Sequence, residues 1–103
     1  MAAIVYRDFY DVPRVFFVTH RDRGFLFDCS FSESVDDYSS EYDVYVMPCL
    51  QDEDLAGSWE NIRSRAIRQI GTVPITAVKF DDTRRKEVDT ELLDDLGERE
   101  RLW

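Results

Sequence analysis

Nucleophilic chemistry needs a thiol or hydroxyl beside a base, and this chain offers one histidine, His20, and two cysteines, Cys29 and Cys49. If the stretches flanking residues 21–24 pair as a hairpin, His20 and Cys29 come onto neighbouring strands, where the imidazole could serve as base to the thiol. Asp28 and Glu33 stand beside Cys29, however, and neighbouring carboxylates disfavour a thiolate. Zinc would draw on Cys29, Cys49, His20 and a fourth ligand, but neither paired-cysteine nor His-His spacing supports it. The chain has no glycine-rich phosphate loop and no Gly-x-Ser-x-Gly elbow. No catalytic residue is assigned on these grounds, and no cofactor is expected.

The densest chemistry lies in residues 32–45, SESVDDYSSEYDVY, which hold five carboxylates and three tyrosines with no Lys or Arg. Asp36, Asp37, Glu41 and Asp43 could offer oxygen ligands to calcium, yet their spacing is not that of the twelve-residue calcium loop and its turn glycine is missing. No metal site is therefore assigned. An acidic loop is ordinarily a solvated one. Tyrosines among carboxylates also make a surface able both to stack on and to neutralise an arginine-rich partner, with charge steering the encounter. Asp36, Asp37, Tyr38, Glu41, Tyr42, Asp43 and Tyr45 are the binding residues this reading selects.

The charge of the whole chain points the same way. With 13 Lys and Arg against 22 Asp and Glu, the net charge is −9. Residues 28–54 hold nine acids and no base, and the remainder carries equal numbers of each sign, so this segment accounts for the whole imbalance. Direct nucleic-acid binding is not expected, because phosphate contacts depend on Lys and Arg, and a basic protein partner is favoured instead. No apolar run approaches the ~20 residues a membrane helix needs, and charge interrupts the opening residues where a signal peptide would stay apolar. The expected setting is cytoplasmic, with both cysteines reduced and buried.

The elements that must position these residues follow from hydrophobic period. Residues 4–8, 14–20 and 24–31 read as strands, the last with Phe25, Phe27, Cys29 and Phe31 on one face. Arg21, Asp22, Arg23 and Gly24 form the turn between the two longer strands, with Gly24 supplying positive φ. Residues 42–47 alternate again, Tyr42, Val44 and Val46 opposite Asp43, Tyr45 and Met47, and Pro48 closes them. The acidic segment thus connects two antiparallel, adjacent strands.

The second half changes period. Trp59, Ile62, Ala66, Ile67 and Ile70 make one helical stripe, which predicts a helix over residues 58–70 with Ser58 as cap and Gly71 as terminator. Residues 73–81 return to strand composition, but their apolar residues change parity between Ile75 and Val78, which predicts a bulge or a short 3₁₀ turn. A short or frayed C-terminal helix begins with Asp89 or Thr90 as cap. Arg63, Arg65, Arg68, Arg84, Arg85 and Lys86 interleave with acids and are expected in surface pairs, or against the acidic segment.

The runs FDDTRRKEVDTELL and GSWENI resemble those of small uncharacterised bacterial proteins carried on mobile gene cassettes, mainly over the second half of the chain. The resemblance implies a bacterial, cytosolic accessory protein and carries over no functional residue.

The expected architecture is a single α+β domain over residues 1–103, with an antiparallel sheet of about five strands, curled toward a small barrel in one version. The helix at 58–70 packs on it, and the short C-terminal helix follows. Its core is expected to include Val15, Phe17, Phe25, Phe27, Val44, Val46, Trp59, Ile62, Ile67, Ile70, Ile75, Val78 and Phe80. Aromatics at 14% of the chain exceed what one small core readily hides, which leaves room for a homodimer. The expected function is a non-enzymatic acidic binding protein of inhibitor, immunity or regulatory type. The alternatives are a small cationic-ligand binder with an aromatic pocket between sheet and helix, and an enzyme of unassigned class.

Overall fold

Two-residue alternation and tight turns dominate the first half, and the computed structural model builds a sheet from them. It describes residues 2–10, 12–48, 50, 52–56, 59, 62–80 and 87–102. The strands are β1 (Ala2–Tyr10), β2 (Val12–His20), β3 (Arg23–Asp28), β4 (Phe31–Ser32), β5 (Asp37–Tyr38), β6 (Glu41–Met47), β7 (Arg68–Pro74) and β8 (Glu87–Val88). Helix α1 (Asp52–Ala56) is one short turn, and α2 (Thr90–Arg99) is the C-terminal helix. Six strands form one antiparallel sheet in the order β7-β6-β3-β2-β1-β8, and β4 and β5 make a separate two-stranded ribbon. The fold is α+β. Among the described residues the sheet is open, with β7 and β8 at its edges, so the barrel version is corrected.

The β2–β3 hairpin forms as its sequence predicts, with His20 facing Arg23 across a two-residue turn. Arg21 and Asp22 themselves take the positive φ, at 51° and 62°, a pattern whose twist matches that of paired strands. Gly24 serves a different need: a Cβ there would lie 2.8 Å from Cζ of Phe17 and 3.3 Å from the Pro48 carbonyl oxygen. The expected adjacency of β3 and β6 is also found, and Pro48 and Pro74 follow or close their strands.

The largest correction concerns residues 58–70. Ile62–Arg65 is a 3₁₀ turn, and Arg68 already begins β7, which pairs with β6. Ser58, the expected cap, lies outside the described residues, as do Cys49 and the basic loop Arg84, Arg85 and Lys86. Gly71 ends no helix; it sits inside β7 at φ 135°. The physical reason is that the apolar stripe serves two faces. Trp59, Ile62 and Ala66 pack with Phe17, Leu26 and Met47 on one side of the sheet, whereas Ile70 joins Phe16, Phe25, Phe27 and Val44 on the other. Ile67, expected in the core, is exposed.

The expected parity break is a 3₁₀ turn at Ile75–Ala77. Helix α2 then closes one face. Asp89 caps it by accepting from the Glu91 amide at 2.9 Å, and Leu93 and Leu96 are buried against the sheet. Between sheet and helix, Phe16 and Phe27 stack with ring centroids 4.6 Å apart, and Tyr42 meets both edge-on. No helix among the described residues is long and apolar enough to cross a membrane.

Candidate interaction surface

Within the acidic segment, residues 31–38 form a hairpin. Phe31 faces Tyr38 and Ser32 faces Asp37, so β4 and β5 enclose a tight loop of Glu33, Ser34, Val35 and Asp36. Asp36 accepts the positive φ of 52° that closes the loop, a conformation Asp tolerates better than most residues. The Asp37 carboxylate accepts from the amide of Tyr38 at 2.7 Å, and Ser39 donates its amide to the Ser30 carbonyl at 2.8 Å. The ribbon is thus closed at its base by main-chain bonding.

A second set of contacts fastens the base to the sheet. Arg14 of β2 places its guanidinium carbon 4.5 Å from the Tyr38 ring centroid, and Nη1 donates to Cys29 Sγ at 3.5 Å. Cys29 is buried, and its thiol donates to the Ser39 carbonyl at 3.1 Å. His20 lies at the opposite end of the β2–β3 hairpin, where it bonds Asp94. The imagined His20–Cys29 pair is therefore not formed. Phe31 was expected on the face that carries Phe25 and Phe27. Instead it sits edge-on to Tyr38, with ring centroids 5.2 Å apart, and stays half exposed.

The seven residues selected from sequence divide into three groups. Asp36, Asp37 and Glu41 are exposed on the ribbon or at its exit, and Tyr38 is half-buried between them and Arg14. Tyr42 turns inward: it is fully buried and donates its hydroxyl to the Pro13 carbonyl at 2.6 Å. Burial pushes its phenol far up, Cys29 adds to the shift, and Arg14 opposes it. Asp43 and Tyr45 lie along β6, away from the ribbon. Asp43 is directly opposite Asp28, a like-charge pairing that costs stability unless a cation intervenes. Arg63 supplies that cation, with Nε 3.1 Å from Asp28 Oδ2, and hydrogen bonding to Tyr45 followed by attraction to Asp28 holds the guanidinium charged. Arg68 pairs with Glu100 at 3.2 Å. For Arg63 and Arg68, two of the six basic residues expected in surface pairs or against the acidic segment, the expectation holds.

Sequence reasoning missed two contributors. Val35 is 69% exposed at the ribbon tip, and Phe31 is 50% exposed on its flank. A lone valine within a run of Ser, Glu and Asp was the available signal. Arg14 was legible only as a strand residue, because its partners are distant in sequence. Among the described residues, no group of three or more His, Cys, Asp or Glu is arranged to hold a metal ion.

Compared with protein-family models, curated proteins and solved structures, the chain matches none.

Proposed function

We propose that this chain is a non-enzymatic binding protein whose β4–β5 ribbon engages a basic protein partner, in the manner of an inhibitor, immunity or regulatory factor. The observation that carries the reading is Val35, 69% exposed at the tip of the β4–β5 hairpin and flanked by Glu33, Asp36 and Asp37. Single exposed apolar residues are ordinary on a protein surface, but Val35 and the half-exposed Phe31 fall on one ribbon among carboxylates. An apolar tip ringed by carboxylates matches the anatomy of an interface, where apolar contact supplies affinity and the charged rim steers the encounter. Arg14 supports the ribbon from behind, which reduces the ordering cost of binding. The proposed setting is the bacterial cytoplasm, in keeping with the resemblance of the second half to cassette-borne accessory proteins.

The alternative of an aromatic pocket for a small cation has less support, because Phe16, Phe25, Phe27 and Tyr42 are consumed in the core. The deciding experiment is a bacterial-lysate pulldown at low and moderate salt. It compares the native chain with two folded variants, one carrying Asp36→Asn, Asp37→Asn and Glu41→Gln, the other Val35→Ser. A basic protein retained by the native form and lost from both variants supports the proposal. Identical retention by all three forms refutes it.

A further inference from the structure

We propose that β7 and the groove beside it form a second site, which takes an extended peptide strand bearing an apolar residue between an acidic and a basic one. Three features meet there. The first is an edge. Among the described residues β7 has a strand neighbour on one side only, β6. Ile75 donates its amide to Ser40 at 3.0 Å, in the register that sets Val73 opposite Tyr42 and Gly71 opposite Val44. Alternate residues of an antiparallel ladder turn their polar groups outward, so the N–H and C=O of Thr72 and the C=O of Pro74 face away from the sheet. Such an edge is a template for another strand.

The second feature is space. A cavity of about 260 Å³ lies between β7 and α2, floored by Val73, Leu92 and Leu96 and bounded by Thr72, Asp95 and Arg99. A further cavity continues from it past Leu92 and Asp95 toward Lys79 and Glu91. Gly71, earlier in the same strand, also has open space beside it: a Cβ there would meet nothing within 4 Å. Glycine inside a strand with open space around it suits close approach by another backbone.

The third feature is charge. Arg68 at the start of β7 bonds Glu100 beyond the end of α2, while Lys79, past the end of β7, accepts from the Asp89 amide at the start of α2. Helix and strand therefore run in opposite directions, with Arg99 toward the beginning of β7 and Asp95 and Glu91 toward its end. Asp95 and Arg99 form no ion pair among the described residues. A peptide lying along β7 meets Arg99 at one end and, at the other, Asp89, Glu91 and Asp95 outnumbering Lys79, and alternate side chains drop onto the apolar floor. Main-chain bonds to an edge supply affinity in this mode, and side-chain pockets supply selectivity. Pro74 and the register shift between Val44 and Tyr45 restrict the usable edge to a few residues.

The test is selection of a phage-displayed random heptapeptide library on the full chain, followed by titration of the selected synthetic peptides into ¹⁵N-labelled protein. The expected peptides carry an apolar residue between an acidic and a basic one, shift the Thr72 amide and slow its hydrogen exchange. Arg99→Glu, on the exposed last turn of α2, should weaken them roughly tenfold or more, and reselection on that variant should replace the acid by a base. Thr72→Pro removes an outward N–H without breaking a ladder bond and should weaken binding to a similar degree. Failure to enrich peptides, or binding that neither variant changes, overturns the proposal. So do shifts confined to residues 31–38, or a Thr72 amide already protected in a dimer of the free chain. The site is separate from the β4–β5 ribbon, so its failure leaves the ribbon reading standing.

Discussion

Arg14 lies over the Tyr38 ring at 4.5 Å, joining the second strand of the sheet to the base of the acidic ribbon. The same guanidinium reaches the Cys29 sulfur, so one side chain ties together the exit of β3, the ribbon and β2. A cation over an aromatic face at a partly exposed site stabilises by about 0.5–1 kcal/mol. Arg14→Gln should therefore loosen the ribbon and leave the sheet intact. The measurement is amide hydrogen exchange at Ser39, whose N–H closes the ribbon onto Ser30. Exchange should accelerate roughly two- to fivefold there, the rate equivalent of that energy, and stay unchanged at Val44. Equal acceleration at both sites would assign Arg14 to global stability.

Tyr42 tests the division between core and surface. Its hydroxyl donates to Pro13 at 2.6 Å from a fully buried position, so Tyr42→Phe strands a carbonyl and should cost about 1–2 kcal/mol in urea denaturation. Partner binding through the ribbon should be unaffected in the folded variant. Alkaline pH gives an independent check. The phenol is raised above its ordinary value of 10.0 by burial first. A group whose folded value is raised contributes stability that is complete below its unfolded value and declines as pH climbs toward the folded one. Stability should thus begin to fall above about pH 10, and Tyr42→Phe should flatten that decline. An unchanged alkaline profile would place the loss elsewhere.

Much of the first half was legible in the sequence because its determinants are local. Alternation in residues 24–31 and 42–47, together with a turn between strands, was enough to specify the β2–β3 hairpin and the adjacency of β3 and β6, although β3 ends at Asp28. Residues 59–70 misled because Trp59, Ile62, Ala66 and Ile70 satisfy a helical period while belonging to two faces of one sheet. Pairing of β7 with β6, reinforced by the Ile67 amide donating to Val46, overrides a weak helical preference in a stretch containing three isoleucines. Of the ribbon, the charge was visible and the support was not. Tyr38 and Tyr42 look alike in SESVDDYSSEYDVY, yet strand phase turns one toward Arg14 at the surface and the other into the core.

Gly24 is required by packing. An added methyl group would lie 2.8 Å and 2.9 Å from two atoms of the Phe17 ring, which is itself buried, and 3.3 Å from the Pro48 carbonyl. Gly24→Ala should destabilise by about 1–3 kcal/mol, the range for overpacking a filled core. A companion Phe17→Leu substitution, which shortens the opposing group, should recover part of that loss. The check is a double-mutant cycle from urea midpoints, in which strict additivity would show that the two residues do not compete for the same space.

The bond from His20 Nε2 to Asp94 Oδ1, at 2.7 Å, and the ion pair from Arg21 Nε, at 3.0 Å, hold the β2–β3 turn against α2. The His20 hydrogen bond is the first cause that lowers the Asp94 carboxyl, with Arg21 adding to it. A carboxyl whose folded value is depressed contributes stability that is present above its unfolded value, here 3.8, and is lost as pH falls through the folded one. The contribution of the carboxylate should disappear in acid below about pH 4. Asp94→Asn should therefore lower the urea midpoint at neutral pH and converge with the native chain in strong acid. Because Asp94 is partly exposed, raised salt should narrow the neutral difference. A gap that persists undiminished at low pH would mean that Asp94 acts through helix packing or capping rather than through its charge.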